Sequence, residues 1–266
     1  MQTICDRGKL VPISKTIAMD LSGSRIHMTL IYQYPPLYPG ILLKRYKRFF
    51  ADIELASGEV VTAHCPNTGP MTGLYIPGQP VQVSRSDSPT RKLPYTWEMI
   101  EVTDNGAPVW VGVNTALPNR VVKLALEKGL FPELGTYREI RSEVAYGQEK
   151  SRIDFVLTDA LDQPIYVEVK STTWTDQTIA LFPDTVTTRG QKHLRELMSL
   201  LPQSRAVMLY FINRGDCDQF APGDSADPVY GQLLREAIAL GLEVLPYRFN
   251  VTTAGIDYLG LATLAF

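Results

Sequence analysis

The pattern of the sequence changes near residue 115, and that change restricts the chain to a two-domain fold. Before this point, short segments with strand character are separated by turn-forming pairs such as Ser57-Gly58 and Asn105-Gly106. After it, apolar residues recur at helical spacing, and the helical segments alternate with strands. A run of strands followed by strand–helix alternation predicts a small β domain joined to a layered α/β domain.

The first domain is predicted to be a small five-stranded OB-like β-barrel over residues 37–115. Five short strands in a segment of this length are typical of an OB-type barrel. The candidate strands are residues 48–55, 59–65, 80–86, 95–102 and 108–114. Residues 1–36 show no sustained period and are interpreted as an N-terminal extension. Because Met28 begins the better-patterned part, we hypothesise that residues 1–27 are a loose extension or an artefact of start-codon choice.

Residues 116–266 are predicted to form the α/β layers. Asn119 is interpreted as the N-cap of a helix that ends at Gly129. The stretch 138–171 has strand character. The elements that follow are predicted at residues 190–201 (helix), 205–212 (strand), 230–241 (helix) and 243–249 (strand). Their alternation is that of a sheet covered by helices.

Charge excludes one class of protein outright. The 26 Lys and Arg residues are balanced by 28 Asp and Glu residues, so the chain is not a uniformly basic, histone-like DNA binder. Residues 1–100 nevertheless carry a net charge of +4 and residues 101–266 one of −6. This asymmetry is a weak indication of nucleic-acid contact. On charge alone, two solvated faces of different composition are the simpler interpretation.

The protein is expected in the cytoplasm, without membrane contact. No apolar run approaches the roughly 18 residues that a membrane span requires. The N-terminus also lacks a positive segment followed by a long apolar stretch, the mark of a secretory signal. Cys5, Cys65 and Cys217 are far apart, which fits neither a disulfide framework nor structural zinc. A reducing compartment is therefore the expectation.

The sharpest chemical pattern is a predicted hairpin with an acid on each strand. Residues 151–157 and 164–171 have strand character, and residues 160–163 supply a turn. A hairpin centred on Leu161 places Asp154 directly opposite Glu168. Strand alternation then separates two faces. The polar face holds Arg152, Asp154, Tyr166, Glu168 and Lys170, and the core face holds Ile153, Phe155, Val167 and Val169.

Two adjacent carboxylates repel each other unless a cation lies between them. A divalent metal is the natural occupant, and Mg²⁺ is commonly held by one or two carboxylates together with substrate phosphates. Lys170 would then orient an attacking water or neutralise phosphate charge. The alternative is a solvated strand face on which Glu168 pairs with Lys170 or Arg152. An Asp in register on the partner strand favours the metal site.

An Asp followed by Glu-x-Lys on the next strand, flanked by helices, resembles the PD-(D/E)XK nuclease core. The chain as a whole resembles the sugar fermentation stimulation protein A family. The resembling segments are LLKRYKRFFADI (42–53), HCPNTGPMTG (64–73), RKLPYTWE (91–98), VNTALPNR (113–120), SEVAYG (142–147), SRIDF (151–155), YVEVKS (166–171) and FPDTVTTRGQKHLRELM (182–198).

The resemblance implies an OB-like domain followed by a restriction-endonuclease-like α/β/α domain. It further implies DNA binding without strong sequence preference and a role in sugar utilisation. Asp154, Glu168 and Lys170 match the catalytic set of the nuclease core. Asp154 and Glu168 would hold Mg²⁺, with Mn²⁺ as the alternative ion, and Glu143 is a candidate for an additional metal-binding acid. Glu143 falls in a strand-like segment, whereas many nucleases of this class carry that acid on a helix.

Two groups of cations are candidates for DNA binding. The first is interleaved with aromatic residues, as in an OB-type groove that contacts phosphates and bases: Lys44, Arg45, Lys47 and Arg48. A strand edge protected by cations, with Phe49 in the core, explains this run equally well from spacing alone; the resemblance favours DNA. The second group is Arg189 and Lys192, near a predicted helix start that favours phosphate. His193 is interpreted as a packed or hydrogen-bonded residue.

Three functions remain open at the level of sequence. The first is a DNA-binding protein with metal-dependent phosphodiester hydrolysis in its second domain. The second is a non-catalytic DNA-binding regulator of sugar (maltose-type) metabolism that keeps the fold without the reaction. The third is a nucleotide or RNA module that uses the OB-like domain chiefly for single strands. The sequence does not determine the oligomeric state.

Overall fold

The computed structural model describes residues 15–19, 25–104, 106–147 and 151–266. The strands in these ranges are β1 (Lys15–Met19), β2 (Arg25–Gln33), β3 (Leu37–Tyr46), β4 (Phe50–Leu55), β5 (Val60–His64), β6 (Pro80–Arg85), β7 (Tyr95–Val102), β8 (Val109–Gly112), β9 (Tyr137–Tyr146), β10 (Ser151–Asp159), β11 (Pro164–Thr172), β12 (Trp174–Asp176), β13 (Ile179–Phe182), β14 (Arg205–Ile212), β15 (Gln219–Pro222), β16 (Glu243–Val251), β17 (Gly255–Leu261) and β18 (Thr263–Leu264). The α-helices are α1 (Leu117–Glu127), α2 (Thr188–Met198) and α3 (Pro228–Ala239).

Strands β3 to β7 form a closed five-stranded barrel, as predicted. Neighbouring strands pair in the order β5-β4-β3-β6-β7. A parallel bridge between His64 and Thr96 joins β5 to β7 and closes the ring. The barrel interior is filled by one apolar cluster that includes Leu42, Ala51, Ile53, Val61, Val81, Val83 and Trp97. The first domain is therefore an OB-like barrel.

One predicted barrel strand is wrong. Residues 108–114 contain β8, which pairs with β7 but then leaves the barrel and contacts β16 of the second domain. Its place in the barrel is taken by β3. This strand lacks a clean alternation because Pro39 and Gly40 lie inside it. A Cβ on Gly40 would lie 2.6 Å from Ile53 Cγ2, so the glycine lets β3 and β4 approach closely.

The second domain is a sheet with helices on both faces, as predicted. The sheet runs β9-β10-β11-β14-β16-β17-β2, with β11, β14 and β16 parallel and the other strands antiparallel. α1 packs on one face through Val121 and Val122. α2 and α3 cover the other face through Leu194 and Leu234. β12, β13, β15 and β18 form a separate small sheet.

Part of the predicted N-terminal extension belongs to this second domain. β2 pairs with β17, and Ile31 and Tyr32 are buried in the same cluster as α1. The prediction of an extension over residues 1–36 is therefore wrong for β2, because a single strand carries no local indication of the distant strand with which it pairs. β1 in turn pairs with β2. The rest of the predicted loose segment, residues 1–14 and 20–24, lies outside the described residues.

The three predicted helices are confirmed, with starts two or three residues earlier than expected. Thr187 Oγ1 caps α2 by accepting a hydrogen bond from the N–H of Gly190 at 3.1 Å. Asp227 Oδ1 caps α3 by accepting from the N–H of Tyr230 at 3.0 Å. Asn119 is not the N-cap that the sequence predicts, because α1 begins before it and contains it in the first turn. None of the helices in the described ranges is long and apolar enough to span a membrane.

A buried arginine joins the two domains. Arg214 is 1% exposed and follows β14 of the second domain. Its Nη2 donates to Asp104 Oδ2, in the connection between β7 and β8, at 2.7 Å. The same guanidinium bonds Asp216 and the carbonyl oxygen of Thr173. Because an unpaired buried charge is strongly unfavourable, this network fixes the barrel against the α/β domain.

Replacing Arg214 by Met should lower the free energy of unfolding by about 3 kcal/mol, because two carboxylates lose their buried partner. Arg138→Met is the matched control, since Arg138 pairs with Asp162 at the surface, where an ion pair contributes about 1 kcal/mol or less. Urea denaturation of both variants measures the difference. Equal losses would show that the interdomain network is not a major source of stability.

Candidate functional site

Asp154 and Glu168 lie next to each other on the hairpin formed by β10 and β11. Phe155 pairs with Val167, which is the predicted register, and Asp154 and Glu168 occupy the next position along. Asp154 Oδ2 accepts a hydrogen bond from the backbone N–H of Val169 at 2.7 Å. The Asp154 carboxylate therefore joins its own strand to β11 where the strand pairing ends.

Both faces of this hairpin are buried, so the predicted division into a polar face and a core face is wrong. Phe155 packs in the cluster with α1, whereas Ile153 packs in the cluster with α2 and α3. Ile153 and Phe155, two residues apart on β10, thus lie on opposite faces of the sheet, so the regular alternation of side chains is interrupted at Asp154. Glu143, on the neighbouring strand β9, has a left-handed φ of 54°. This left-handed backbone takes the Glu143 carboxylate out of the regular alternation of side chains along β9.

Asp154 is half-buried and is held by two donors. Asn119 Nδ2, from the first turn of α1, donates to Asp154 Oδ1 at 2.7 Å. Burial, and then the negative charge of Glu168, raise the pKa of Asp154 to about 6. The N–H of Val169, the charge of Lys170 and the Asn119 amide oppose this rise without cancelling it.

Glu168 is ionised more readily than its neighbour, although it is only 2% exposed. Glu168 Oε1 accepts from Lys170 Nζ at 2.6 Å and also contacts His193 Nδ1. Burial alone would raise the pKa of Glu168, but Lys170 and His193 more than offset it and hold the pKa below its ordinary value. The site therefore contains two carboxylates whose pKa values are pushed apart, which is a common feature of acid–base sites.

His193 connects the carboxylates to the basic start of α2. Arg189 Nε donates to His193 Nε2 at 3.4 Å. Because a guanidinium only donates, His193 Nε2 is the acceptor and its Nδ1 carries the proton toward Glu168. His193 is therefore a hydrogen-bonded residue, as the sequence predicts, and it orients Glu168 from the helix layer.

Two buried oxygen atoms at this site have no hydrogen-bond partner among the described residues: Glu168 Oε2 and the hydroxyl of Tyr146. Tyr146 ends β9. Burial, followed by the charges of Glu168, Glu196 and Asp154, raises the pKa of its hydroxyl. Tyr146 thus lies among three acids. An unsatisfied carboxylate oxygen in such surroundings is suited to a cation or a water molecule.

The structure brings Asp154, Glu168 and Lys170 together, but it does not add Glu143 to them. Glu143 is exposed on β9, and its carbonyl oxygen accepts from Arg152 Nη1 at 3.1 Å. Within the described ranges, no three Asp, Glu, His or Cys side chains are arranged to hold one metal ion. A cation here would therefore rely on the Asp154–Glu168 pair.

The cations of the barrel divide into two kinds. Arg45 Nη2 donates to the carbonyl oxygens of Asn67 and Gly69 at 2.9 and 2.8 Å, and Arg48 Nε donates to that of Thr68 at 2.7 Å. These arginines hold the loop between β5 and β6. Lys44 forms an exposed ion pair with Asp52, whereas Lys47 has neither a hydrogen bond nor an ion pair in the described part of the chain.

The placement of Phe49 in the core is wrong, since half of its side chain is exposed. Lys47 and Arg48 both have left-handed φ values, 47° and 65°, and this reversal turns Phe49 outward.

On α2, Arg189 is exposed and Lys192 is half-buried. Both lie in the first turns of the helix, where the N-terminal dipole favours anions.

Asn119 and Tyr146 were missed by sequence reasoning. Both lie in segments that carry the family resemblance, yet nothing local indicates their contacts. Asn119 reaches a carboxylate 35 positions along the chain. Tyr146 becomes part of the site only because β9 pairs with β10. A polar residue at a helix start and an aromatic strand residue have many commoner roles.

Family models match both domains of the chain. The first, described as the SfsA N-terminal OB domain, matches residues 43–113. The second, described as the sugar fermentation stimulation protein RE domain, matches residues 116–255. The chain belongs to the sugar fermentation stimulation protein family.

Relatives in other organisms are similar over nearly their whole length. The sugar fermentation stimulation protein homolog of Trichormus variabilis is 73% identical over 236 residues, which are 88% of this chain and 98% of the relative. The homolog of Cyanothece sp. is 72% identical over 234 residues, again 88% and 98%. The structure of Pyrococcus furiosus SfsA in complex with Ca²⁺ is 27% identical, with a TM-score of 0.80, and the match covers 89% of this chain and 99% of that one.

The raised pKa of Asp154 predicts a specific dependence of stability on pH. Between pH about 4 and about 6 the folded protein binds the Asp154 proton more tightly than the unfolded chain does, so stability falls as pH rises through this window. The loss approaches about 3 kcal/mol for a shift of roughly two pKa units. Asp154→Asn should flatten this part of the profile, as measured by urea denaturation in the presence of a chelator.

The matched control is Asp176→Asn, because Asp176 lies exposed in the separate small sheet. This variant should keep the wild-type pH profile. If Asp154→Asn and the wild-type protein lose stability in parallel between pH 4 and 6, the environment of Asp154 is not the source of the dependence.

Proposed function

We propose that this protein is a cytoplasmic DNA-binding protein whose second domain hydrolyses phosphodiester bonds in a metal-dependent reaction. The observation that carries the proposal is the Asp154–Glu168 pair: a half-buried and a buried carboxylate, side by side, with pKa values pushed in opposite directions. Lys170 completes the set through its bond to Glu168. The sheet and helices around these residues belong to a restriction-endonuclease-like fold, although a fold alone does not specify a reaction.

The residues present fit a hard divalent cation. Carboxylate oxygens are the ligands that Mg²⁺ and Mn²⁺ accept, and Glu168 Oε2 is buried without a hydrogen-bond partner in the described chain. Asp154 would supply the second ligand. The relative from Pyrococcus furiosus is described in complex with Ca²⁺, which also prefers oxygen ligands. We therefore propose Mg²⁺ as the ion, with Mn²⁺ as a substitute.

Each protein group then has a definite part in phosphodiester hydrolysis. A bound divalent ion supplies a Lewis acid that polarises a phosphoryl oxygen and makes water more acidic. Asn119 holds Asp154 and His193 holds Glu168, so both carboxylates keep fixed orientations. Lys170 Nζ has three hydrogens; it gives one to Glu168 and also lies 3.2 Å from His193 Nδ1. A donor not used in these contacts would orient water or stabilise the negative charge that develops on the phosphate.

The proposed substrate is DNA bound mainly through its phosphates. Arg189 and Lys192 lie at the start of α2, about one turn and one residue before His193, respectively, where both the helix dipole and the side chains favour an anion. Lys44 and Lys47 add positive charge on the barrel. Contacts of this kind recognise the backbone and carry no sequence information, which supports binding without strong sequence preference.

One observation favours a second candidate function, a non-catalytic DNA-binding regulator of sugar (maltose-type) metabolism. Glu168 Oε1 is already paired with Lys170 at 2.6 Å and contacts His193. A carboxylate that is neutralised inside the protein needs no cation, so the set would act as a structural ion pair. The two candidates share DNA binding and differ in whether the site takes a metal.

Incubation with supercoiled, linear and single-stranded DNA, in Mg²⁺, Mn²⁺ or chelator, tests the reaction. We expect metal-dependent cleavage by the wild-type protein and at least about a hundredfold slower cleavage by Asp154→Asn and Lys170→Ala. Asp176→Asn is the control and should cleave normally. Calorimetric titration with Mn²⁺ should show binding that Asp154→Asn weakens. Intact DNA on every substrate, with no ion bound, would favour the regulator.

Lys47 provides a test of DNA binding that does not depend on cleavage. Lys47→Ala should weaken binding to every sequence and reduce the slope of log K against log salt by about 0.9, the value for one phosphate contact on duplex DNA. Lys128→Ala is the control, because Lys128 is exposed at the end of α1 away from Asn119. Fluorescence anisotropy in chelator gives both slopes. An unchanged slope for Lys47→Ala would remove this residue from the DNA-binding surface.

A further inference from the structure

Two aromatic side chains are exposed on adjacent loops of the barrel. Phe49 lies in the turn between β3 and β4, and Tyr75 lies in the loop between β5 and β6 (residues 65–79). Each is 50% exposed. A large aromatic ring that is half exposed on a turn contributes little to the core, and aromatic residues are enriched at binding surfaces.

The loop that carries Tyr75 is held in one conformation. Met71 and Leu74 anchor it in the barrel core, where both are buried. The guanidinium of Arg45 bonds the carbonyl oxygens of Asn67 and Gly69, and its carbon Cζ lies 5.6 Å from the centre of the Tyr75 ring. The ring is thus presented beside a fixed positive charge. A preorganised binding surface loses little conformational entropy when a ligand binds.

The same loop contacts the segments that lead into both helices of the candidate site. The N–H of Thr72 donates to Asp184 Oδ2 at 3.4 Å, shortly before α2. Thr115 Oγ1 donates to the carbonyl oxygen of Pro66 at 3.0 Å, shortly before α1. The first turns of these helices carry Asn119, which holds Asp154, and Arg189, which holds His193. The loop is therefore hydrogen-bonded to both segments that lead into the helices of the carboxylate site.

We propose that the β5–β6 loop and the β3–β4 turn bind unpaired nucleobases, with Tyr75 and Phe49 as stacking platforms beside the carboxylate site. The inference rests on the proposed function and specifies its substrate: DNA with a single-stranded segment next to the bond that is cleaved. Base stacking on aromatic rings tolerates any sequence because every base has a π face. Lys47 lies two residues before Phe49 and is placed to contact the phosphates of the same DNA strand.

Charge distinguishes this occupant from an apolar protein partner. The exposed ring of Phe49 follows four cations in the segment 44–50, where Asp52 is the nearest acid and is already paired with Lys44. The Arg45 guanidinium lies over one face of the Tyr75 ring, so a base would stack on the other face. An aromatic ring beside fixed cations matches the alternating bases and phosphates of a single strand.

The test compares a short oligothymidylate with a blunt duplex of equal length, by fluorescence anisotropy on the full chain in chelator. Tyr75→Ala and Phe49→Ala should each weaken single-strand binding by about tenfold and leave duplex binding unchanged. Tyr75→Phe keeps the ring and should bind like the wild-type protein. Lys47→Ala should weaken both DNA forms, since phosphate contacts do not depend on base pairing.

The outcomes separate this inference from the proposed function. If the wild-type protein binds neither DNA form, the proposal of DNA binding is wrong, and the proposal of base stacking on Tyr75 and Phe49 is wrong with it. If it binds DNA but both alanine variants keep full single-strand affinity, the platform alone is overturned. Equal losses on both DNA forms in Tyr75→Ala would also overturn it, because stacking requires unpaired bases. Photo-cross-linking of iodouracil-containing DNA to the peptide with Tyr75 would support direct contact.

Discussion

The burial of Glu168 on the central strand β11 is the constraint around which the second domain is arranged. A carboxylate that is almost fully removed from water must be paired, and here Lys170 and His193 supply the partners. His193 comes from α2, so the helix has to pack where its side chain reaches the strand. Asp154 lies beside the negative charge of Glu168. Burial and this charge together raise the pKa of Asp154.

The two domains are joined at the functional site as well as by the Arg214 network. The loop between β5 and β6 contacts the segments before α1 and α2, and the first turns of those helices orient the two carboxylates. Under the proposed function, a ligand on the barrel would lie near the carboxylates of the second domain. That would give a physical reason for an OB-like barrel and this α/β domain to share one chain.

Much of the fold could be predicted because its signals are local. The hairpin register around Leu161 follows from a turn and two alternating strands, and β14 has the predicted bounds, since residues 206–212 form one apolar run after Arg205. Asn119, by contrast, was interpreted as a cap, because a short polar residue before an apolar run usually has that role. Its contact with Asp154 depends on how α1 packs on the sheet. Arg45 and Arg48 likewise resemble phosphate ligands in the sequence, and only the tertiary structure shows that they bond the carbonyl oxygens of one loop.

The sequence by itself determined the two classes of domain, the pairing of Asp154 with Glu168 across a hairpin, and the acid–acid–lysine set. Each of these depends on residues that are close along the chain, where periodicity and turn chemistry dictate the geometry. Only the tertiary structure decided that β2 joins the second domain, that Glu143 stays apart from the carboxylate pair, and that Asn119, His193 and Tyr146 surround it. Those contacts join distant segments, and their free energy comes from packing and burial that no local pattern encodes.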